Sequence, residues 1–431
     1  MSPFLSNQRT EKAELSGRSV DLLKPSPVSQ YEMSVERFIG DYLDPTVERM
    51  RRYVERERFA GYDPYDALTG WFPFGLAGKW GQAVVTQIHK RNPVNLRPLM
   101  GIPKRRNAKA IGLFLSSYSK LAEHGDRAAA IVATDLFEWL LENQSSGYAG
   151  SCWGYPFDWV NPKKKVSAGT PSVVVTSFVV KGIWDYYRVF EDERAREAIS
   201  SACDYVLQDL HQTRTRDGLC FSYTHLERDC CYNANMLAAE ILALGARLEV
   251  GGDCAGLARR ALDFTLAHQK RDGRWNYSLE RAIGKERTQI DFHQGFILDS
   301  IDAVLGHLDC SYRRSTKALE KGAEFFWREH FFANGRGKWR LPREWPTEIH
   351  NQAQGILTFS RLSKRNSKWL AHAQTIAQWT IETMFDERGY FYYQSFPKFM
   401  NRIPYMRWSQ AWMLLALVCL REALKSKSKR Q

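Results

Sequence analysis

One pattern recurs along this chain and limits what it can fold into. An apolar stretch of helical period is followed by a charged connection, a second amphipathic helix, and then a glycine turn set with aromatics. The turns read GYAGSCWGY at Gly147, DGLCFSY at Gly218, DGRWNY at Gly273, GKWRL at Gly337 and RGYFYY at Gly389. Successive turn glycines stand 71, 55, 64 and 52 residues apart, one helical hairpin each. In one such unit, Met236, Leu237, Ile241, Leu244 and Leu248 share an apolar helical face. Gly251 and Gly252 stop that helix, and Leu257, Ala261, Phe264 and Leu266 mark the next.

The same reading places units at about 31–60, 107–145, 170–212, 232–269, 291–330 and 351–385, with an unpaired last helix at about 406–424. One hairpin cannot bury its own apolar faces, but six stacked in a circle can. The expected fold is therefore all-α: an (α/α)6 toroid closed by the last helix against the first, with little or no sheet. Residues 1–30 read as a loose arm, 31–424 as one toroid domain and 425–431 as a basic tail. The stretch from Trp71 to Arg106 fits no unit and is expected to lie across one mouth.

Charge and composition exclude some functions. The net charge is +13, part of it from Lys425, Lys427, Lys429 and Arg430, so the tail is expected to be solvated or drawn to an anionic lipid or glycan. No zinc-finger spacing, RNP-type motif or basic region with heptads points to nucleic acid. No apolar run reaches the ~18 residues of a membrane span; Ala411–Leu420 falls short. The expected location is cytoplasmic, with the tail as a peripheral membrane contact. Eight cysteines without dense spacing read mostly as buried free thiols.

Polar residues collect where inner helices should begin: Tyr232-Asn233-Ala234-Asn235, Asp291-Phe292-His293-Gln294, Glu348-Ile349-His350-Asn351-Gln352 and Arg407-Trp408-Ser409-Gln410. Asp158 and Trp159 precede another start at Thr170-Pro171. An N-cap asks for one short polar residue, not a cluster of four. If the inner helices run the same way, these groups meet at one mouth, a concave site for a ligand. Trp153, Tyr155 and other turn aromatics would stack on sugar rings there, or plug gaps between hairpins.

At these motifs the chain resembles a known family. CWGYPFDW (152–159), TP (170–171), YNAN (232–235), DFHQGF (291–296), EIHNQAQ (348–354), NRIPYMRWSQAW (401–412), NLRPLMGIP (95–103) and YDPYD (62–66) resemble the VpsJ-like proteins of polysaccharide biosynthesis clusters. The resemblance implies a six-hairpin, glycosidase-like fold and a place in exopolysaccharide or lipopolysaccharide metabolism, with an oligo- or polysaccharide substrate, anionic or lipid-linked.

Three kinds of function fit these residues. The first is a hydrolase, lyase or epimerase acting on glycans. Hydrolysis would use Asp291 and Glu348 as a carboxyl pair ~5–10 Å apart, with Asp158, Asp63 and Asp66 in reserve. Elimination or epimerisation would use His293 and His350 as base and acid. Arg407 would grip a sugar carboxylate or phosphate. Trp153, Tyr155, Asn233, Asn235, Gln294, Asn351, Trp408 and Gln410 would bind the sugar. No cofactor or metal is required on this reading. The second is a zinc-dependent toroid, because Asp229-x-Cys231 with His293 resembles the zinc set of the protein prenyltransferase β subunits. The glycine-rich repeats of that family and the D-x-D-D motif of terpenoid cyclases are absent. The third is a non-catalytic glycan-binding scaffold.

Overall fold

The computed structural model describes residues 34–71, 78–160, 165–280, 284–310 and 312–428. All of the expected arm (1–30) and the last residues of the expected tail (429–431) lie outside them. Helix α1 (Val35–Phe38) passes through a π turn (Ile39–Leu43) into α2 (Asp44–Arg56), and α3 (Gly78–Arg91) follows. Five hairpins come next: α4 (Ala108–Glu123) with α5 (Arg127–Glu142), α6 (Val173–Phe190) with α7 (Glu193–Asp204), and α8 (Tyr232–Arg247) with α9 (Cys254–Ala267). They continue as α10 (His293–His307) with α11 (Arg313–His330), and α12 (Ile349–Leu362) with α13 (Lys368–Met384). A π turn (Met406–Ala411) opens the last helix, α14 (Trp412–Ser428).

The first helix of each hairpin is inner, the second outer. Each inner helix packs on the next, and α14 packs on α4. The six inner helices therefore form a closed ring, the (α/α)6 toroid. The expected hairpin at 31–60 is instead one nearly continuous rod. Its partner is α14: Arg421 Nε lies 2.7 Å from Asp44 Oδ1, and Ser428 Oγ donates to Glu36 at 2.9 Å. First and last helices thus make the sixth hairpin. Helix α14 also carries Lys425 and Lys427 to Ser428, so that part of the expected tail is helical.

Sequence explains the division into rings. Inner α8 and α10 are buried for most of their length. Outer α11 buries one stripe only, including Ala318, Leu319, Phe325 and Phe326. Gly112 and Gly182 let α4 and α6 touch backbone to backbone; a Cβ on Gly182 would stand 2.2 Å from the Gly112 carbonyl oxygen.

Short antiparallel pieces fill the connections. Cys230–Cys231 pairs with Ser278–Glu280, which pairs with Lys285–Arg287. Gln394–Ser395 lies between Thr347–Glu348 and Met400–Asn401. Both small sheets run directly into inner helices, so they build the rim of one mouth. All eight cysteines are free thiols, seven of them buried. Among the described residues no helix is long and apolar enough to cross a membrane.

Candidate active site at the inner-helix N-termini

The inner helices run the same way, and their starts converge. Outer α5, α7 and α9 begin with ordinary aspartate caps; Asp126, for example, accepts from Ala129 N. By contrast α8, α10 and α12 begin at Cys231, Phe292 and Glu348, none of which makes a side-chain cap hydrogen bond. Their polar clusters do two other jobs.

The first job is structural. Gln294 accepts from Trp275 N at 2.9 Å and donates back to Trp275 O at 2.7 Å. Gln410 does the same with Phe391 at 2.9 Å both ways. Gln352 accepts from Gly337 N and donates to Gly335 O. Asn235 accepts from Phe221 N and donates to Ala261 O, and Thr176 Oγ1 accepts from Trp153 N. The inner helices from α6 onward thus clamp the turns that precede them. Asn235, Gln294 and Gln410, expected to bind sugar, are corrected to clamps with their polar atoms engaged. Asn351 donates to Lys338 O and Trp339 O and is a clamp too. Asn233 faces Cys231, with Oδ1 2.8 Å from Sγ.

Trp153 is corrected as well. It is fully buried, and its Nε1 donates to Leu140 O. Trp275 repeats this with Thr265 O. These indoles wedge turn against outer helix. Asp158 is paired with Lys165 at 2.8 Å, beside the two-residue strand pair Trp159–Val160 and Lys165–Val166.

The second job is the cluster itself. Asp291, buried, receives His293 Nδ1 at 2.5 Å and Gln289 Nε2 at 2.8 Å, with Arg340 Nε 3.5 Å away. Burial alone would raise its pKa, but His293 and Arg340 hold the carboxyl well below the usual range. Glu348 accepts from Trp408 Nε1 at 2.9 Å and from Gln394 Nε2 at 2.8 Å. His350 is buried with neither ring nitrogen bonded. Its imidazole stacks on Phe292 at 4.1 Å and lies against Trp408 and Trp412 at 4.8 and 4.6 Å. His293 stacks on the same Phe292 ring at 4.3 Å, so the two imidazoles share one aromatic neighbour. Burial first, then Lys109 and His293, push the His350 pKa well down.

Arg407 does not present a free fork. Its Nε and Nη2 grip Asp63 at 2.6 and 2.8 Å, and its guanidinium lies 4.9 Å from the Tyr155 and Trp408 rings. The expected carboxylate clamp is an internal ion pair. Asp66 pairs with Arg97 at 2.7 Å, and burial lifts its pKa to about 6. For the zinc set, Asp229 Oδ1 accepts from Tyr223 N, Cys231 faces Asn233, and His293 is held by Asp291. Among the described residues no group of three metal-ligating side chains is found.

Sequence reasoning missed Lys109, the second residue of α4. It is buried, and its amine sits 4.3, 5.2 and 5.3 Å from the rings of Phe178, Trp412 and Phe296. Burial, then Arg407 and Lys181, lower its pKa well below the usual lysine value. The signal was available: a lone cation in the apolar run NAKAIGLF. Phe178, Phe296 and Trp412 come from alternate inner helices and pack together at 4.8–5.4 Å, filling the ring at that level. Beyond them lies a separate chamber of about 1030 Å³ at the inner-helix C-termini. There the charges are paired inside: Lys181 with Glu240 at 2.7 Å, Arg361 with Asp299 at 2.9 Å and Lys120 with Glu422 at 3.3 Å. The mouth where the sequence motifs meet differs in kind: it joins an imidazole with both nitrogens unbonded, His350, to a lysine set among rings, Lys109.

No family model matches the chain, and no curated protein matches its sequence. Solved structures share its fold. A cellobiose 2-epimerase from Bacillus thermoamylovorans superposes with a TM-score of 0.61 at 13% identity, over 91% of this chain and 98% of that one. A D-mannose isomerase gives 0.56 at 11%, over 74% and 87%. A GH76 α-mannanase from Bacteroides thetaiotaomicron gives 0.55 at 12%, over 75% and 88%. The fold is thus the six-hairpin toroid that these carbohydrate epimerase, isomerase and mannanase structures also adopt. At such identities the likeness defines the fold.

Proposed function

We propose that this protein is a carbohydrate-acting enzyme whose chemistry is proton transfer at a sugar carbon next to a carbonyl or carboxyl group. That step is common to epimerases, aldose–ketose isomerases and polysaccharide lyases. The observation that carries the reading is the pair of imidazoles on the Phe292 ring, one oriented by Asp291 and the other with both nitrogens unbonded. His293 is the base: Asp291 holds Nδ1–H, which leaves Nε2 to take a proton. His350, kept neutral by its surroundings, faces the second side of the reacting carbon, and Lys109 steadies the developing oxyanion when it is protonated. Asp291 and Glu348 position rather than react, because both carboxylates are already bonded. Asp63 and Arg407 form the wall, and Tyr155 and Trp408 offer aromatic faces.

The resemblance to VpsJ-like proteins and the +13 charge support a surface-polysaccharide substrate, anionic or lipid-linked, met in the cytoplasm or at the membrane face. The test is solvent-proton exchange. Purified protein is incubated in D2O with reducing disaccharides and uronic-acid oligosaccharides, and the products are read by NMR. Deuterium should enter the carbon next to the carbonyl, and His293→Asn or His350→Asn should each cut the rate at least 100-fold. Release of new reducing ends with no carbon-bound deuterium, undiminished in both variants, would replace this reading with hydrolysis.

A further inference from the structure

Helix α3 is inside out. A surface helix normally buries its apolar stripe, yet α3 buries Gln82, Thr86 and His89, with Ala83 beside them. It exposes Trp80, Val84 and Ile88, one row at i, i+4 and i+8, at 68%, 56% and 57%. The inward polar groups are built in. Thr86 Oγ1 donates to Gln82 O, and His89 bonds Val85 O and meets Met100 Sδ. The outward stripe therefore needs its own explanation.

Three more large apolar residues stand near it: Trp71 at 70%, Leu99 at 77% and Val94 at 61%. Trp71 is tied to this region through Met100 O, and Met100 touches His89. A groove of about 650 Å³ runs along the stripe between Trp80, Val84, Ile88 and Arg91. Charge selects the partner. From Trp71 to Arg106 the sequence has seven Lys and Arg and no Asp or Glu, in a chain with 48 acidic residues. Arg97 is buried against Asp66 and Lys104 pairs with Glu57, but Arg91 is exposed at the end of the stripe. An apolar row with indoles, flanked by cations and empty of acids, is the pattern of a helix lying in a bilayer interface.

We propose that α3 docks this protein on an anionic lipid bilayer. Trp80, Val84 and Ile88 enter the headgroup–acyl boundary with Trp71 and Leu99, and Arg91 meets lipid phosphates. The opposite side of α3 covers the inner-helix mouth. Lys90 donates to Tyr65 OH at 2.5 Å and lies 5.4 Å from the Trp408 ring. Docking therefore turns that mouth toward the lipid, where a membrane-borne glycan would present its sugar.

The experiment is co-sedimentation of the full chain with vesicles of phosphatidylcholine alone, or mixed equally with phosphatidylglycerol. The expected result is binding to the mixed vesicles only, weakened by 0.5 M salt. Ile88→Glu should weaken it at least 10-fold and Arg91→Glu about 5-fold, while Lys425→Gln with Lys427→Gln leaves it unchanged. Thermal melts establish that each variant is folded; an unfolded Ile88→Glu is replaced by Val84→Ser with Ile88→Ser. No binding at low salt overturns the proposal. So does binding that follows the α14 lysines instead, or a wild-type dimer that Ile88→Glu splits without any vesicle binding.

Discussion

Lys109 shows how much one residue can cost. A cation enclosed by Phe178, Phe296 and Trp412 gives up its hydration, and ring quadrupoles return only part of it. Its lowered pKa means the unfolded state binds the proton more tightly than the folded state. Stability thus rises with pH across the window below the ordinary lysine value of 10.5. Lys109→Met should raise stability by about 1–2 kcal/mol at pH 7, read by urea unfolding, and abolish activity. His330 and His350 act in the acid range. Burial lowers both, His330 from 6.5 to about 4. Their stabilising neutral forms are fully present above pH 6.5 and are lost as pH falls through that window. In a Lys109→Met background, which removes the lysine contribution, urea midpoints should be flat from pH 8 to 7 and drop between pH 6.5 and 4, with a smaller drop when His330→Gln is added. The sequence made these residues hard to rank. An amide that clamps a backbone and one that binds a hydroxyl look identical in one dimension, so the sequence does not separate Gln294 and Gln410 from sugar ligands. The Asp291-x-His293 spacing, by contrast, did place an acid and a base side by side.

At the level of helices, period was legible and direction was not. The 3.6-residue pattern located α8 and α9 to within a few residues, because burial on a ring imposes that pattern. It could not show that α3 turns its apolar row outward, since periodicity carries no sign. Nor could it show that 31–60 is one rod, because a rod and a short hairpin share the same apolar period. Close helix contact is another matter of geometry. Gly112 and Gly182 are unremarkable in sequence, yet they set the α4–α6 spacing. Gly182→Ala should push these helices apart and destabilise the fold by about 2 kcal/mol or more, seen as a lowered thermal midpoint. Gly251→Ala, in the open turn before α9, should change it by less than about 0.5 kcal/mol.

As a whole, the ring is closed by its own ends. The α2–α14 hairpin draws together segments almost 400 positions apart, and the Arg421–Asp44 pair, half in solvent, contributes at most about 1 kcal/mol to that closure. Packing of α14 between α12 and α4 does the rest. A permutant with a short linker from Ser428 to residue 34, opened between Gly251 and Gly252, should fold with a single cooperative melt. Truncation at Ala411 should leave no cooperative melt at all. Closure was foreseen from the unpaired last helix; the second chamber, made of residues scattered over every hairpin, was not.

The aromatic floor made by Phe178, Phe296 and Trp412 has a further meaning for traffic. A tube open at both ends would let a long polymer slide through while successive units are processed. A cul-de-sac admits only a terminus, which must back out the way it came before the next can enter. On the proposed function, a substrate would therefore be met at its tip, one departure for every arrival, and its length beyond the first few sugars would be irrelevant to the fit.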